Sequence, residues 1–297
     1  MAVPPEQAQA QQLRLGRHVL PLSRPLVMGV LNVTPDSFSD GGAFVSPETA
    51  IRQAQRLVAE GADIIDIGGE STRPGSQPVS VQEELDRVLP VLEAVSTRLD
   101  VPVSVDTCKP AVMSAAASAG AGLLNDVYGL RAEGAVQAAA ATGLPVCVMH
   151  MKGEPRTMQH DPRYAEVVDE VREFLLERVR ACEAAGIPRE RLILDPGFGF
   201  GKTLDHNYRL LGRLDEITGL GMPVLVGMSR KSMLGGVTGR PLDQRLAGGL
   251  AAAVVAVTRG ARIVRAHDVA PMVDALRVAG AALDAAAGRT VEARERP

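Results

Sequence analysis

Short runs of branched aliphatic residues alternate along the chain with longer segments in which apolar residues recur every three or four positions. The short runs predict strands buried on both faces, and the longer segments predict amphipathic helices. The predicted strands cover 26–32, 63–67, 102–106, 122–125, 145–149, 192–194, 223–227 and 262–265. The helices that follow them cover 47–60, 81–98, 110–119, 133–141, 164–185, 205–214, 242–258 and 271–287.

Eight strand–helix units in a chain of 297 residues predict a single-domain (β/α)₈ TIM barrel. The alternative is a doubly wound open sheet, which normally has fewer units and a G-x-G-x-x-G turn after its first strand. No such turn follows the first predicted strand. We expect residues 26–288 to form the barrel, residues 1–25 a polar and partly disordered extension, and residues 289–297 a charged tail.

Polar residues stand at the carboxyl end of nearly every predicted strand. They include Asn32, the segment 68–75, Asp106, Asn125, His150, Asp195, the segment 229–232, Arg265 and His267. In a barrel of parallel strands these ends meet at one face, where the active sites of this fold lie. One such residue is usually a helix cap, but a whole ring of them predicts a functional site.

Two chemical groups can be separated within this ring. The first mixes hydrogen-bond donors and acceptors, which suits a flat heterocycle with polar edges. It comprises Asp106, Asn125, Asp195 and Lys231. The second is cationic and predicts a phosphate clamp of Arg73, Arg265 and His267, although Arg73 alone would be an ordinary surface residue.

The loop after the first strand, NVTPDSFSDGG, offers hard oxygen ligands in Asn32, Asp36 and Asp40. Such ligands suit Mg²⁺ shared with a substrate phosphate, although the two acids could instead only make turns. Phe198 and Phe200 lie in another glycine-rich loop, PGFGFGKT, which suits stacking against an aromatic substrate. This loop nearly matches a nucleotide P-loop, but a proline replaces the first required glycine, so we exclude that function.

Composition and charge argue against several kinds of partner. A formal net charge of −3 provides no broad basic field for nucleic acid. The longest apolar stretch, 246–258, is too short to span a bilayer, so no membrane association is expected. The three cysteines have no zinc spacing, and the first residues lack a signal-peptide pattern, which together predict a reducing, cytoplasmic location.

Seven motifs, in this order, closely resemble those of the dihydropteroate synthase family. They are MGVLNVTPDSFSDGG, DIIDIGGESTRPG, VSVDTCKP, NDVYGL, ILDPGFGFGK, LVGMSRKSMLG and RAHDV. The resemblance covers residues 26–269 and implies a (β/α)₈ enzyme of folate synthesis. Such an enzyme joins 6-hydroxymethyl-7,8-dihydropterin diphosphate to 4-aminobenzoate and releases pyrophosphate and 7,8-dihydropteroate.

The resemblance also implies roles for individual residues. The pterin-binding positions match Asp106, Asn125, Met149, Asp195, Phe200 and Lys231. The diphosphate positions match Asn32, Arg73, Arg265 and His267, and the aminobenzoate positions match Thr72, Pro74, Phe200, Ser229 and Ser232. Asn32 would bind Mg²⁺, assisted by Asp40. The catalytic residues would be Asp106, Lys231, Arg265 and His267, which fit a dissociative substitution at the pterin methylene.

Two other functions match the pattern less well. A corrinoid-linked methyltetrahydrofolate methyltransferase domain shares the barrel, but would not be expected to have the 34–42 loop or the Arg265-x-His267 pair. A non-catalytic pterin-binding homologue would normally show decayed loops, whereas these are intact.

The family usually forms homodimers through its last helices, so small-molecule substrates and a second copy of the chain are the expected partners.

Overall fold

The computed structural model describes residues 12–34, 47–72 and 75–291. Its strands are β1 (Gln12–Leu15), β2 (His18–Pro21), β3 (Leu26–Asn32), β4 (Ile64–Gly68), β5 (Val103–Asp106), β6 (Leu123–Asp126), β7 (Val146–Met149), β8 (Leu192–Asp195), β9 (Leu225–Val226) and β10 (Ile263–Ala266). Its α-helices are α1 (Pro47–Ala59), α2 (Val81–Arg98), α3 (Pro110–Ser118), α4 (Ala135–Thr142), α5 (Val167–Ala184), α6 (Leu204–Gly212), α7 (Asp215–Thr218), α8 (Ser232–Thr238), α9 (Leu246–Thr258) and α10 (Val269–Ala286).

Strands β3 to β10 form one parallel sheet in the order β8-β7-β6-β5-β4-β3-β10-β9. A parallel bridge between Leu194 and Val224 joins the two edge strands, and the backbone N–H of Leu194 donates to the carbonyl of Pro223 at 2.9 Å. Helices connect the successive strands. The sheet therefore closes on itself, and the predicted (β/α)₈ barrel is confirmed.

Each barrel strand alternates between two packing environments, because successive side chains of a strand point to opposite faces. In β4, Ile65 and Ile67 pack into the large cluster that includes the helices, whereas Ile64 joins a smaller cluster inside the barrel. Further along β4, Asp66 points to the same face of the strand as Ile64 and is fully buried. The inward positions are thus apolar at the amino end of the barrel and polar towards its carboxyl end.

Strands β1 and β2 form an antiparallel hairpin that packs against the apolar end of the barrel. Leu13 and Leu15 are almost completely buried and share one cluster with Met28. The sequence analysis assigned this segment to a polar extension. The structure corrects that assignment for residues 12–22, because the alternation of leucines with polar residues is a strand pattern that buries one face.

Most element boundaries differ from the predicted ones by one to three residues. Helix α2 begins as predicted, at a Ser80 cap whose hydroxyl accepts from the backbone N–H of Glu83 at 3.1 Å. Helix α8 was not predicted, because its sequence SMLGGVT contains two helix-weakening glycines. It matters for the site, since Lys231 is the residue that precedes it. No helix in the described part of the chain is long and apolar enough to cross a membrane.

Candidate active site

Arg265 lies at the centre of a buried charge cluster at the carboxyl end of the barrel. Its Nε donates to Asp66 Oδ2 at 2.6 Å, and its Nη2 donates to Asp106 Oδ2 at 3.1 Å. The amide Nδ2 of Asn125 lies 3.4 Å from the same Asp66 oxygen. Strands β4, β5, β6 and β10 therefore bring two acids, an amide and a guanidinium into one network.

A row of paired strand positions runs through Asn32, Gly68, Asp106 and Asn125 across β3 to β6. Gly68 leaves space in the middle of this row. A Cβ atom at this position would lie 3.7 Å from both Asn32 Oδ1 and Asp106 Cβ. The absence of a side chain at Gly68 therefore leaves the polar groups of Asn32 and Asp106 accessible to a ligand between them.

Burial dominates the electrostatics of the charge cluster. It raises the pKa of Asp106 to about 8, against the opposing effect of Arg265. Burial alone would lower the pKa of Arg265, but Asp66 and Asp106 outweigh this effect and raise it. Arg265 therefore stays charged at every physiological pH, whereas Asp106 exchanges its proton near neutrality, as groups at functional sites often do.

A second cluster lies where β7, β8 and the segment before α8 meet. Lys231 Nζ donates to the backbone carbonyl of Phe198 and lies 4.5 Å from the centre of the Phe200 ring. Asp195 Oδ1 accepts from the backbone N–H of Gly197 at 2.7 Å. Met149, which pairs with Asp195 in the sheet, belongs to the small apolar cluster against which Phe200 packs. The site thus has one apolar wall beside a buried acid and a lysine.

The two charged groups of this second cluster have pKa values displaced in opposite directions. Burial lowers the pKa of Lys231 to about 8, and Asp195 opposes this effect. Burial raises the pKa of Asp195, and Lys231 opposes it in turn. Of the surrounding charges, each group has the strongest effect on the pKa of the other, so a polar ligand that bonds to both would be recognised by matched charge.

The loops after β9 and β10 are joined by a serine and a histidine. The backbone N–H of His267 donates to Ser229 Oγ at 3.3 Å, and His267 Nδ1 lies 3.1 Å from the same oxygen. Arg230, which has a left-handed φ of 62°, bonds to Asp268 at 2.6 Å. These contacts bring Ser229 and His267 together. Ser232 is exposed at the first position of α8.

A cavity of about 260 Å³ opens beside Asp106 and is lined by Thr72, Cys108 and Tyr128, among others. Thr72 and Asp106 therefore share one space. Asp40, Arg73 and Pro74 lie outside the described residues. Of the residues that the structure does describe, no group of three or more His, Cys, Asp or Glu side chains could hold a metal ion.

Asp66, which connects Arg265 to Asn125, is not among the predicted site residues. Those residues stand where strands end, whereas Asp66 lies inside β4. A signal was present nevertheless. Within the run DIIDIGG, Asp66 is two residues before Gly68 and so faces the same side of the strand. An acid in the middle of an otherwise apolar, doubly buried strand requires a partner.

Known proteins match this chain over most of its length. The profile of the family described as pterin binding enzyme matches residues 28–267. The dihydropteroate synthase of Escherichia coli (strain K12) is 54% identical over 273 residues, which are 92% of this chain and 97% of that protein.

Two solved structures of dihydropteroate synthase from Xanthomonas albilineans have the same fold. The one with 4-aminobenzoic acid superposes with a TM-score of 0.88 at 51% identity, covering 93% of this chain and 99% of that one. The one in complex with 7,8-dihydropteroate superposes with a TM-score of 0.83 at 48% identity, covering 92% and 98%. The family profile, the sequence identity over most of the chain and the shared barrel fold all indicate the same family. The chain therefore belongs to the pterin binding enzymes and, within them, to the transferases of the dihydropteroate synthase family.

Proposed function

We propose that this chain joins 6-hydroxymethyl-7,8-dihydropterin diphosphate to 4-aminobenzoate, with release of pyrophosphate and formation of 7,8-dihydropteroate. The observation that carries the proposal is the meeting of polar groups of mixed sign, buried or partly buried, at one end of the barrel. They are Asp106, Asn125, Asp195, Lys231 and Arg265. The relatives with bound 4-aminobenzoic acid and 7,8-dihydropteroate support the identity of the substrate and product.

In this proposal the pterin ring lies between the two clusters. Asp195 and Asn125 bind its polar edges, and Lys231 donates to a ring acceptor. Met149 and Phe200 provide the apolar wall against which the flat ring packs. A ring with matched donors and acceptors satisfies these buried groups, whereas an apolar ligand of the same shape would leave them unpaired.

The diphosphate is proposed to lie beside Arg265, His267 and Asn32. Arg265 is a planar cation that already bonds to Asp106, so it connects the leaving group to the reacting centre. Departure of pyrophosphate leaves a cation that is delocalised into the pterin ring, and the Asp106 carboxylate stabilises it. The lone pair of the aromatic amine then forms the C–N bond to the methylene carbon, the surplus proton of the amine passes to the released pyrophosphate, and no side-chain nucleophile is needed. Thr72, Ser229 and Ser232 are proposed to contact the aminobenzoate.

Magnesium is a proposed cofactor of this reaction. Asn32 places a hard amide oxygen across Gly68 from Asp106 at the barrel mouth, and Mg²⁺ typically takes only one or two protein ligands beside substrate phosphates. Asp40, the assisting ligand, lies outside the described residues. An ion held there would neutralise charge on the diphosphate.

Removal of the metal is therefore expected to abolish turnover while leaving the binding of a pterin without diphosphate nearly unchanged. Rigorous chelation with EDTA, followed by calorimetry with 6-hydroxymethylpterin, tests this expectation. Asn32→Ala should raise the Mg²⁺ concentration needed for half-maximal rate, since it removes one ligand. Full activity after chelation would disprove the metal assignment.

The rate is expected to depend on pH as a narrow bell with its maximum near pH 8. Asp106 must be ionised to stabilise the cation, so kcat/KM rises with pH up to its pKa of about 8. Lys231 must be protonated to donate to the pterin, so kcat/KM falls above its pKa of about 8. Lys231→Met should remove the alkaline fall from the profile. The ordinary pKa values of an aspartate and a lysine would instead give a broad plateau of kcat/KM between about pH 4 and 10.

A homodimer is also proposed. Exposed apolar side chains occur on or near the last helices, as expected for a surface that a second copy covers. They are Val237, Leu242, Leu246, Val255 and Val278. Sedimentation equilibrium measures the oligomeric state directly, and Val278→Asp should shift the equilibrium towards the monomer.

A cytoplasmic location is proposed as well, and the three free cysteines accord with it.

The function itself is tested by incubating the purified protein with both substrates and Mg²⁺ and measuring 7,8-dihydropteroate and pyrophosphate by chromatography. We expect equal amounts of the two products. Binding of the pterin without any product would favour the non-catalytic homologue. Demethylation of methyltetrahydrofolate would favour the methyltransferase.

A further inference from the structure

Lys202 is buried inside the loop between β8 and α6, with only 2% of its surface exposed. Its Nζ lies 2.8 Å from the carbonyl oxygen of Gly197, 3.1 Å from that of Phe200 and 2.8 Å from His150 Nδ1. As an ammonium it donates to all three groups. As a neutral amine it donates to the two carbonyls and accepts from the imidazole. In either state its polar atom is fully satisfied by protein.

This burial is costly, which argues that the lysine does more than fill space. Desolvation lowers the pKa of Lys202 well below that of an ordinary lysine. An apolar residue of similar length would avoid that cost, but it would leave the carbonyl of Phe200 without this donor and the carbonyl of Gly197 with only the backbone N–H of Phe200. Lys202 is one of only four lysines in the chain.

The loop that Lys202 holds is also confined from the outside. Gly197 and Gly201 both have left-handed φ angles, and a Cβ atom on either would collide with the backbone carbonyl of His150 or of Lys152. Tyr164 donates from its hydroxyl to the carbonyl of Gly201 at 2.8 Å. The loop backbone therefore lies between the β7–α5 connection on one side and the Lys202 side chain on the other.

The same loop holds Lys231. The carbonyl of Phe198 accepts from Lys231 Nζ, and the Phe200 ring lies 4.5 Å from that atom. Lys202 bonds to the carbonyls of Gly197 and Phe200, and Phe198 lies between these two residues in the chain. A change at Lys202 is thus transmitted through one or two peptide units to the position of Lys231.

We propose that Lys202 is a positioning residue of the pterin site, which holds the Gly197–Phe200 segment so that Phe198 and Phe200 orient the Lys231 ammonium towards the substrate. The inference rests on the proposed role of Lys231 in pterin binding. Lys202 itself does not touch the substrate, because its polar atom is enclosed by the loop and His150.

The first test compares Lys202→Met with Lys152→Met. Lys152 serves as the comparison because it belongs to the adjoining loop but is half-exposed, where it bonds to Glu170 at 2.9 Å and to the carbonyl of Arg163 and lies 4.2 Å from the centre of the Tyr164 ring. Steady-state kinetics are measured per active site, together with the thermal midpoint. Lys202→Met should raise the KM for the pterin diphosphate at least about tenfold, the equivalent of one lost charge-assisted bond, and leave the KM for aminobenzoate less affected. Lys152→Met should change neither KM by more than about twofold.

A purely structural lysine gives a different result. In that case Lys202→Met lowers the thermal midpoint and the yield of active enzyme but leaves the pterin KM of the folded fraction unchanged, which would overturn the proposal. If the methionine variant does not fold, Lys202→Gln takes its place, because its amide can still donate to the two carbonyls. Its pterin KM should exceed that of the wild type, and an unchanged pterin KM in the folded variant would overturn the proposal.

Chemical rescue adds a measurement that stability alone would not move. In Lys202→Ala the missing atoms correspond to propylamine, so this amine should lower the pterin KM again, whereas 1-propanol should not. Equal effects of the two additives would contradict the proposal.

Lys231→Met distinguishes a failure of the proposed pterin site from a failure of the positioning role of Lys202. An unchanged pterin KM in that variant refutes the proposed site, whereas a raised KM in Lys231→Met with an unchanged one in Lys202→Met refutes only the positioning role.

Discussion

Asp106→Asn is expected to lower kcat by a factor of about 10²–10³, the usual cost of removing one preorganised electrostatic group from an active site. Asparagine keeps the size of the side chain but removes the negative charge that is proposed to stabilise the pterin cation. The site is largely buried, so water cannot replace that charge effectively. The KM for the pterin diphosphate should change much less than kcat, because the cation exists only after the leaving group has departed.

Asp126→Asn is the matched control for this experiment. Asp126 follows Asn125 on the neighbouring strand and is 0% exposed, against 9% for Asp106. It faces the other side of the sheet and accepts from the backbone N–H groups of Tyr128 at 2.7 Å and Leu130 at 2.9 Å. Loss of the Asp126 carboxylate should lower the free energy of unfolding rather than kcat. Single-turnover measurements on both variants distinguish the two effects. A similar fall of kcat in both would mean that Asp106 acts through the fold and not through its charge.

The barrel was predictable because the two signals that specify it are local. Apolar runs and helical periodicity recur in the same order eight times, and turns such as Ala59–Ala62 separate them. The hairpin of β1 and β2 was missed because only two of its leucines alternate, within a glutamine-rich segment, and its stability depends on the barrel that it covers. Burial of that kind is a tertiary property that a local pattern does not contain.

The sequence predicts which residues lie in the candidate site better than it predicts which of them bond to each other. Strand ends predicted Asp106, Asn125, Asp195, Lys231 and Arg265, and the structure brings them to one end of the barrel. Which residue bonds to which depends on the register between strands that lie far apart in the sequence. Asp66 and Arg265 are separated by 199 positions and meet only because β10 pairs with β3 and β3 with β4.

Asp66→Ala is expected to be the most destabilising single change in the site, lowering the free energy of unfolding by about 3 kcal/mol, the lower end of the range for breaking a buried ion pair. Asp66 is completely buried and accepts from Arg265 at 2.6 Å. Its removal leaves the guanidinium with a single carboxylate, Asp106. We place the value at the lower end because 23% of the Arg265 side chain is still exposed to water. Chemical denaturation followed by circular dichroism measures this change.

Asp63→Ala provides the comparison, because Asp63 precedes the same strand and pairs with Arg24, whose side chain is half-exposed. A surface pair of this kind, together with the backbone bond from Val27, should cost no more than about 2 kcal/mol. Removing both members of the buried pair provides the decisive test. Asp66→Ala combined with Arg265→Leu should be destabilised by less than the sum of the two single changes, since the ion pair is broken only once, although the double variant leaves Asp106 without its guanidinium partner and should be inactive. If the double variant is instead less stable by the sum of the two single effects, the pair is not energetically coupled and the charge cluster does not hold Arg265 in place.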